Sequence, residues 1–488
     1  MSFVSIDFAI FMPIVFCIYW VLNKANVKIQ NLFLLAASYF FYAWWNWRYL
    51  SLILICSLTN YYAGLLMLKY DREKIRKAIL YACFAICLGI LGIFKYYNFF
   101  ITSFVEAFSL FGVNLQVKTL NLILPIGISF YTFHTLTYTI EIYRRKFEPT
   151  KDVISFFLFV SIFPLAMAGP IERATNLLPQ IYKRRTFDYA LATDGMRQIL
   201  WGIFKKVVIA DNCALIVNPI FENSSAQNGS TLLLGLIFFA FQLYCDFSGY
   251  SDIAIGIGKL LGFKFLQNFN YPYFATSFTD YWKRNHISMT QWFMDYVYYP
   301  MTNNKTKLWQ WNLCMIATFL LSGLWHGAGW TFVLWGLYQG IFIVISMNSQ
   351  KRRKRFEKKH NLKDNKLYTF LRMFMTFGIV CFGLVFFRAD SITQAWNYIL
   401  KIFSSSLLTM PHLPSSFLEL FTNKVLILIQ LLLIPIFILV EWLNREKQHG
   451  LQIENIKSPL IKWIIYFTII FAIWALGGEQ ETFIYFQF

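Results

Sequence analysis

Charged residues are scarce in this sequence, and their scarcity excludes a soluble protein. Only 14% of the 488 residues are charged and 57% are hydrophobic, whereas a soluble domain has about 25% charged residues. A membrane-spanning helix needs about 20 predominantly apolar residues, and the chain holds on the order of ten such stretches. The composition therefore predicts an all-α, multi-pass integral membrane protein, because backbone polar groups in lipid must be satisfied within helices.

Acidic residues are also few, and the basic residues are unevenly placed. The chain has 25 Asp and Glu against 44 Lys and Arg, a net charge of +19. The basic residues cluster in short loops between apolar runs, for example at 69–77, 144–146 and 351–359. Because short cytoplasmic loops carry such an excess, we expect these loops on the cytoplasmic side, against anionic membrane lipid. There they would also suit an acidic partner or a phosphate-bearing donor, and no nucleic acid is implied.

The sequence lacks the familiar signatures of metal and covalent catalysis. Its eight cysteines form no paired C-x-x-C motif, and it has no G-x-S-x-G elbow, Walker loop or H-E-x-x-H. These are the patterns that would mark a zinc site, a serine nucleophile or a nucleotide-binding loop. We therefore predict no metal and no bound cofactor, and interpret the cysteines as small buried hydrophobes.

The apolar runs predict one polytopic domain over 1–488, with a catalytic core at about 122–345 and C-terminal helices at about 365–488. Segments in the middle of the chain are short or interrupted by glycine, proline or charge, at 153–171, 196–208 and 232–244. Such segments suit re-entrant or interfacial elements, which are tolerated where they line a cavity inside the protein. The uninterrupted spans are predicted at 6–22, 29–45, 50–68, 78–94, 122–142, 368–387, 425–443 and 460–476.

His326 lies inside the stretch 320–336, which is apolar enough to form a membrane helix. An ionisable side chain is costly at membrane depth, so it usually faces a cavity or a partner and has a function. Gly327 and Gly329 permit close backbone approach, and Trp325 offers a rigid wall. Burial disfavours the charged imidazole and leaves the neutral ring able to accept a proton. We predict that His326 is a general base; a hydrogen-bonded structural histidine is the alternative.

His286 lies in a segment whose large apolar residues recur at spacings of three, four and seven, as on one face of an amphipathic helix. That helix could simply lie in the membrane interface. The functional alternative places His286 at the mouth of a tunnel, where Lys283 and Arg284 would hold a phosphate or carboxylate. Asp295 could pair with either cation or orient a histidine. The recurring residues are Trp282, Met289, Trp292, Phe293 and Tyr296.

A polar patch interrupts the apolar context at Asp246, Ser248 and Asp252. It could line a cavity or bind a cation. Because no further ligand set accompanies it, we predict a lining role and not a metal site.

Two histidines without an obvious nucleophile fit acyl transfer from a thioester. The thioester is already activated, so the enzyme must only deprotonate an acceptor hydroxyl, which is general-base catalysis worth about 10²–10⁴ in rate. Holding both reactants together in a tunnel contributes further. The oxyanion could be stabilised by N–H groups near Gly327 and Gly329 or by the side chain of Trp325 or Asn285.

The sequence resembles the membrane-bound O-acyltransferases, and most closely the branch with bacterial alginate O-acetyltransferase and related polysaccharide and peptidoglycan O-acetylation proteins. The resemblance covers essentially the whole chain, and the stretch around His326 is its most specific part. The matching motifs occur in the expected order at 124–133, 168–171, 246–252, the His286 segment, 321–335, 386–389 and 483–488.

This resemblance implies ten or more transmembrane helices, with re-entrant elements, around a central tunnel. It implies that His326 is the essential catalytic histidine and His286 the second family histidine. It further implies a multi-pass protein of the bacterial inner membrane that takes acetyl from cytoplasmic acetyl-CoA. The acetyl group would pass across the membrane to a polysaccharide hydroxyl or to a periplasmic serine-hydrolase-like partner.

Two alternatives remain. One is the D-alanyl transfer protein of teichoic-acid modification, which resembles this chain at both histidines and uses a carrier-protein thioester. The other is a non-catalytic transporter or flippase for an acyl or glycan intermediate, which leaves the cluster of His326 with Gly327 and Gly329 unexplained.

Overall fold

The computed structural model describes residues 1–113, 115–120, 122–167, 169–303, 306–411, 424–478 and 481–486, with backbone only for 424–430 and 486. Ala168, Gln487 and Phe488, which belong to the motifs above, lie outside the described residues. The described part is helical and contains no strand. Six of its helical stretches are long and apolar enough to cross a membrane. The predicted all-α membrane class is therefore confirmed.

The chain forms two compact units, of which the first comprises Met1–Ile199 and Ile253–Leu266. Its interior is tied together by the buried Arg185, which donates to the Tyr19 hydroxyl and to the side-chain oxygens of Gln30 and Asn31. The helices that begin in it are α1 (Ile6–Leu22), α2 (Val27–Asn46), α3 (Leu50–Lys69), α4 (Glu73–Leu91), α5 (Tyr97–Ser109), α6 (Ile128–Tyr143), α7 (Val153–Ser161), α8 (Phe163–Ala166), α9 (Ala174–Tyr182) and α10 (Tyr189–Ile203).

The second unit comprises Leu200–Asp252 and Gln267–Phe488. Two π-helical segments, Phe204–Ala210 and Met294–Tyr298, interrupt its helices. Such segments are frequent at functional sites. Its helices are α11 (Asp211–Glu222), α12 (Gly229–Leu260, up to residue 252), α13 (Phe278–Arg284), α14 (Ile287–Phe293), α15 (Tyr299–Met301), α16 (Leu308–His326), α17 (Trp330–Lys359), α18 (Lys366–Arg388), α19 (Ile392–Ile402), α20 (Lys424–Leu443) and α21 (Pro459–Leu476).

Most of the uninterrupted apolar runs are helices close to their predicted bounds, but the run predicted at 122–142 becomes helical only at Ile128, where α6 begins. The first two, predicted at 6–22 and 29–45, are α1 and α2, and the last three are α18, α20 and α21. Two of the three middle segments are interrupted, as predicted: the run at 153–171 is split into α7 and α8, and that at 196–208 ends in a π-helical segment. The prediction is wrong for 232–244, which lies inside the continuous helix α12.

Two predicted helices are wrong because the chain breaks at the histidines themselves. The stretch 320–336 is not one helix: α16 ends at His326, Gly327 is extended with φ of −156°, and α17 begins at Trp330. The amphipathic helix through Trp282 and Tyr296 is divided into α13, α14 and a π-helical segment. Its first break is at His286, which has the left-handed φ of 45°.

Candidate active site

A cavity in the second unit brings the two predicted histidines together. His286 and His326 both line it, with ring centroids 6.4 Å apart. Leu243, Met289, Leu384 and Asn285 contribute to the wall. The rest of the lining is aromatic and consists of Tyr244, Phe247, Phe269, Tyr273, Tyr281, Trp282, Trp335, Phe387 and Tyr485.

His326 is placed in the cavity by the end of a helix. It is the last residue of α16 and only 4% exposed. Its ring contacts those of Trp325 at 4.9 Å, Trp335 at 4.8 Å and Tyr485 at 5.6 Å between centroids. The aromatic walls fix the imidazole at the edge of the empty space, which is the arrangement a proton acceptor in an enclosed site requires.

The glycines next to His326 allow close packing of α16 against α17. A Cβ on Gly323 would lie 2.3 Å from the Phe332 carbonyl oxygen, and one on Gly327 would lie 2.2 Å from the Phe332 ring. At Gly329 the nearest such contact is 3.5 Å. The Gly327 N–H donates to the Gly323 carbonyl, so it is not directed at a substrate as the oxyanion hypothesis for this residue required.

His286 is held between two segments of the chain. Its Nδ1 lies 3.2 Å from Oδ1 of Asn268, and its ring packs edge-on against Phe247 at 4.6 Å between centroids. A residue other than glycine with positive φ is strained and persists only where the surroundings hold it. The strain at His286 therefore indicates a specific placement of this side chain.

Burial lowers the pKa of His286 below its ordinary value, because desolvation disfavours the charged ring. The residue lies outside the six candidate spans, at the junction of α13 and α14. A histidine with a lowered pKa is neutral at pH 7 and can accept a proton.

The predicted polar patch on α12 binds buried lysines of the same unit. Lys206 Nζ lies 2.8 Å from Asp246 and 2.7 Å from Asp211. Lys205 Nζ lies 2.6 Å from Asp252 and donates to Ser248 Oγ at 2.9 Å. None of these six side chains is among the described residues that line the cavity, whereas Phe247 from the same motif lines it.

The same ion cluster reaches the last described segment of the chain. Lys206 Nζ donates to the Glu481 carbonyl at 2.9 Å, and the Ile484 N–H donates to Asp246 at 2.8 Å. Tyr485 follows Ile484 in this segment and lines the cavity. Its ring centroid lies 4.5 Å from that of Phe247. The cluster thus positions one wall of the site.

Of the remaining predicted residues, most do not line the cavity. Trp325 does not line it, although its ring is 5.8 Å from that of His286. Arg284 pairs with Asp280 at 2.9 Å, Lys283 is exposed, and Asp295 is in the π-helical segment. Asn285, in contrast, lines the cavity together with the two histidines.

Several residues of the site cannot be recognised from the sequence alone. Asn268 belongs to none of the motifs, and Tyr244, Tyr273 and Leu384 look like ordinary membrane-helix residues until the fold assembles them. Lys205 and Lys206 did carry a signal, since adjacent lysines inside an apolar segment need buried partners. Within the described residues, no group of three His, Cys, Asp or Glu side chains could hold a metal ion.

The protein is a helical multi-pass membrane protein, and two histidines line one of its cavities among aromatic side chains. These features make it a candidate for an enzyme that transfers a group within the membrane. The chain belongs to the membrane-bound O-acyltransferase family, whose family model matches residues 32–389, and it is an acyltransferase. This membership favours the enzyme over the transporter alternative.

Curated relatives agree with this assignment. The chain is 37% identical over 396 residues to a protein of Azotobacter vinelandii named "Probable alginate O-acetylase", covering 81% of this chain and 76% of that protein. It is 30% identical to the "Peptidoglycan O-acetyltransferase" of Helicobacter pylori, covering 98% and 95%. It is also 30% identical to the "Teichoic acid D-alanyltransferase" of Bacillus subtilis, over 55% of this chain and 69% of the relative.

Proposed function

We propose that the protein transfers an acetyl group from cytoplasmic acetyl-CoA to hydroxyls of an extracytoplasmic polysaccharide such as alginate or peptidoglycan. The transfer is direct or passes through an extracytoplasmic serine-hydrolase-like partner, and the protein resides in the bacterial inner membrane. The observation that carries the proposal is the pair of buried histidines in one aromatic cavity. Relatives named for O-acetylation of alginate and peptidoglycan support the acyl group and the acceptor class.

The chemistry follows from an imidazole that accepts a proton. The acceptor hydroxyl gives its proton to His326 while its oxygen attacks the thioester carbonyl, and the carbon–sulfur bond breaks as the intermediate collapses. The thiolate then takes the proton back from the imidazolium, so the enzyme ends as it began. The aromatic walls exclude water, which would otherwise hydrolyse the thioester.

The lining of the cavity favours acetyl over D-alanyl. A D-alanyl thioester carries an ammonium group, which a dry site must balance with a carboxylate or release to water. Among the described residues that line the cavity, none is a carboxylate: Asp246 and Asp252 are turned to Lys206 and Lys205. An uncharged acetyl group meets no such cost.

The test is transfer of radiolabel from acetyl-CoA into the cell-envelope fraction of membranes that contain the protein. We expect label with wild type and its loss with His326→Ala at equal membrane expression. His360→Ala is the matched control, because His360 is an exposed histidine beyond the end of α17. Label that persists in His326→Ala contradicts the role of His326. Transfer from a D-alanyl carrier protein and not from acetyl-CoA would replace the proposed donor.

A further inference from the structure

Asn268 contacts His286 and the helix that follows it through a single atom. Its Oδ1 lies 3.2 Å from Nδ1 of His286, 2.9 Å from Oγ of Ser288 and 3.3 Å from the backbone nitrogen of Ser288. Asn268 is fully buried, as are His286 and Ser288. One amide group thus meets three polar atoms of the neighbouring segment at the same point.

The backbone contact decides which atom of the amide faces this segment. The Ser288 N–H can only donate, so the Asn268 atom that receives it must be the oxygen and not the NH₂ group. An amide oxygen can only accept. Nδ1 of His286, which shares that oxygen, must therefore carry a hydrogen. In the neutral ring the proton-free nitrogen is then Nε2.

The backbone keeps the two segments in register. The Ile287 N–H donates to the Asn268 carbonyl at 2.9 Å, and the Asn270 N–H donates to the Arg284 carbonyl at 2.8 Å. These bonds bracket His286 and hold it at its strained φ of 45°. They fix the backbone from which the imidazole extends, and the ring itself is placed by its contact with Asn268 and by the edge-on Phe247 ring.

We propose that Asn268 is a positioning residue that holds His286 as its Nδ1–H tautomer, so that Nε2 is the proton-accepting nitrogen that His286 offers to substrate in the cavity. In acyl transfer this nitrogen accepts a hydrogen bond from a donor group of the bound substrate, while His326 takes the proton of the acceptor hydroxyl. That role rests on the proposed function, whereas the tautomer itself does not.

Other ionisable groups share the surroundings of His286 and must be considered in any pH experiment. The cavity holds His326 and the phenols of Tyr244, Tyr273, Tyr281 and Tyr485. The preceding helix carries Lys283 and Arg284, the latter paired with Asp280. A substitution at Asn268 leaves each of these groups in place, and the ring of His286 is in direct contact with Asn268 through Nδ1.

Two substitutions separate positioning from a merely structural role. Asn268→Asp keeps an acceptor for Ser288 and His286 but adds a negative charge beside the ring. An opposite charge at this distance raises a pKa by about one unit or more, so the acid limb of kcat against pH should move up by that amount. Asn268→Leu removes the acceptor and should lower kcat about 100-fold, the low end of general-base catalysis, with little change in KM for acetyl-CoA.

Asn270→Leu is the matched control. Asn270 lies in the same loop and contributes its backbone N–H, which leucine also has. It should leave both kcat and the acid limb unchanged. If Asn268→Asp is active and its acid limb coincides with that of wild type, the proposal is overturned. A structural role alone would lower the yield of folded protein in Asn268→Leu without moving the pH profile of Asn268→Asp.

A second measurement does not depend on activity. Nitrogen-15 NMR of histidine-labelled protein in lipid distinguishes protonated from bare ring nitrogens, and the His286 signals are those lost in His286→Gln. We expect a protonated Nδ1 and a bare Nε2 in wild type; a protonated Nε2 overturns the proposal. If this tautomer is found but wild type transfers no acetyl from acetyl-CoA, the proposed function fails while the assignment of Asn268 stands.

Discussion

His286 and His326 face one cavity from different helical segments, with ring centroids 6.4 Å apart. That separation is too large for a direct hydrogen bond between the rings, which needs about 3 Å between heavy atoms. A substrate group placed in the cavity can contact both. We therefore propose that the two rings act on one substrate and not on each other.

The first prediction concerns this joint action. His286→Gln and His326→Gln should each lower acetyl transfer by about 100-fold or more, and the double variant should lose little more than the worse single variant. Residues that act as a unit in one transition state are strongly non-additive. Initial rates with acetyl-CoA at equal membrane expression measure the three losses. Losses that multiply would show that the two histidines serve separate steps.

The second prediction concerns the buried lysine behind the cavity. Lys206→Met leaves Asp211 and Asp246 without their cation in a site where all three side chains are at most 6% exposed. Leaving a buried charge uncompensated costs about 3–5 kcal/mol, so the variant should unfold at a markedly lower temperature in detergent. The buried free cysteines of the chain report unfolding through a thiol-reactive dye.

Its control is the surface pair of Arg145 and Asp71, whose side chains are 63% and 78% exposed. Arg145→Met removes one ion pair, as Lys206→Met does, but in water, where such a pair contributes less than about 1 kcal/mol. Equal destabilisation by the two variants would contradict a special role for the buried cluster.

Hydrophobic patterning was enough to predict the helices that face lipid, because their runs are long and continuous. The spans at 6–22 and 460–476 fall within a residue of α1 and α21. The breaks at His286 and at Gly327 to Gly329 could not be predicted this way, since each depends on contacts with distant residues. At His286 these contacts come from Asn268, eighteen positions earlier.

The residues of the candidate site also divide into those whose place the sequence predicts and those whose place only the fold reveals. The two histidines are recognisable because charge is costly in apolar sequence, and both line the cavity. Asp246 and Asp252 carry the same signal, yet they bind Lys206 and Lys205 and lie behind the wall. Sequence reveals that a buried polar group needs a partner, but only the fold reveals whether the partner is a substrate or a lysine.

The third prediction uses the close approach of α16 and α17. Gly323→Ala places a methyl group 2.3 Å from the Phe332 carbonyl oxygen and 3.1 Å from the Gly336 Cα. Because these are backbone atoms, the helices must separate, at a cost of about 1–3 kcal/mol. Thermal unfolding in detergent should show the loss, and activity should fall because His326 is three residues away.

Gly378→Ala in α18 is the matched control, since a Cβ there meets nothing within 4 Å. Replacing a helical glycine by alanine should stabilise the protein by about 0.5–1 kcal/mol. If Gly323→Ala is as stable and active as Gly378→Ala, the close packing of α16 and α17 is not what holds His326 in place.

The fourth prediction concerns Arg185 in the first unit, which is 4% exposed. Its guanidinium donates to Tyr19, Gln30 and Asn31 and lies 5.3 Å from the Phe263 ring centre. Lysine has the charge but not the planar fork that reaches these acceptors together. Arg185→Lys should therefore destabilise the protein by about 1–3 kcal/mol, because buried acceptors lose their donors.

Arg184→Lys provides the comparison at the adjacent position. Arg184 is exposed and donates one hydrogen bond, to the Asn23 carbonyl at 2.7 Å. A lysine ammonium can make a single bond of this kind, so the unfolding temperature should stay within error of wild type. The two substitutions are chemically identical, and any difference between them measures the geometry of the buried fork rather than the charge. Equal unfolding temperatures would mean that charge alone accounts for Arg185.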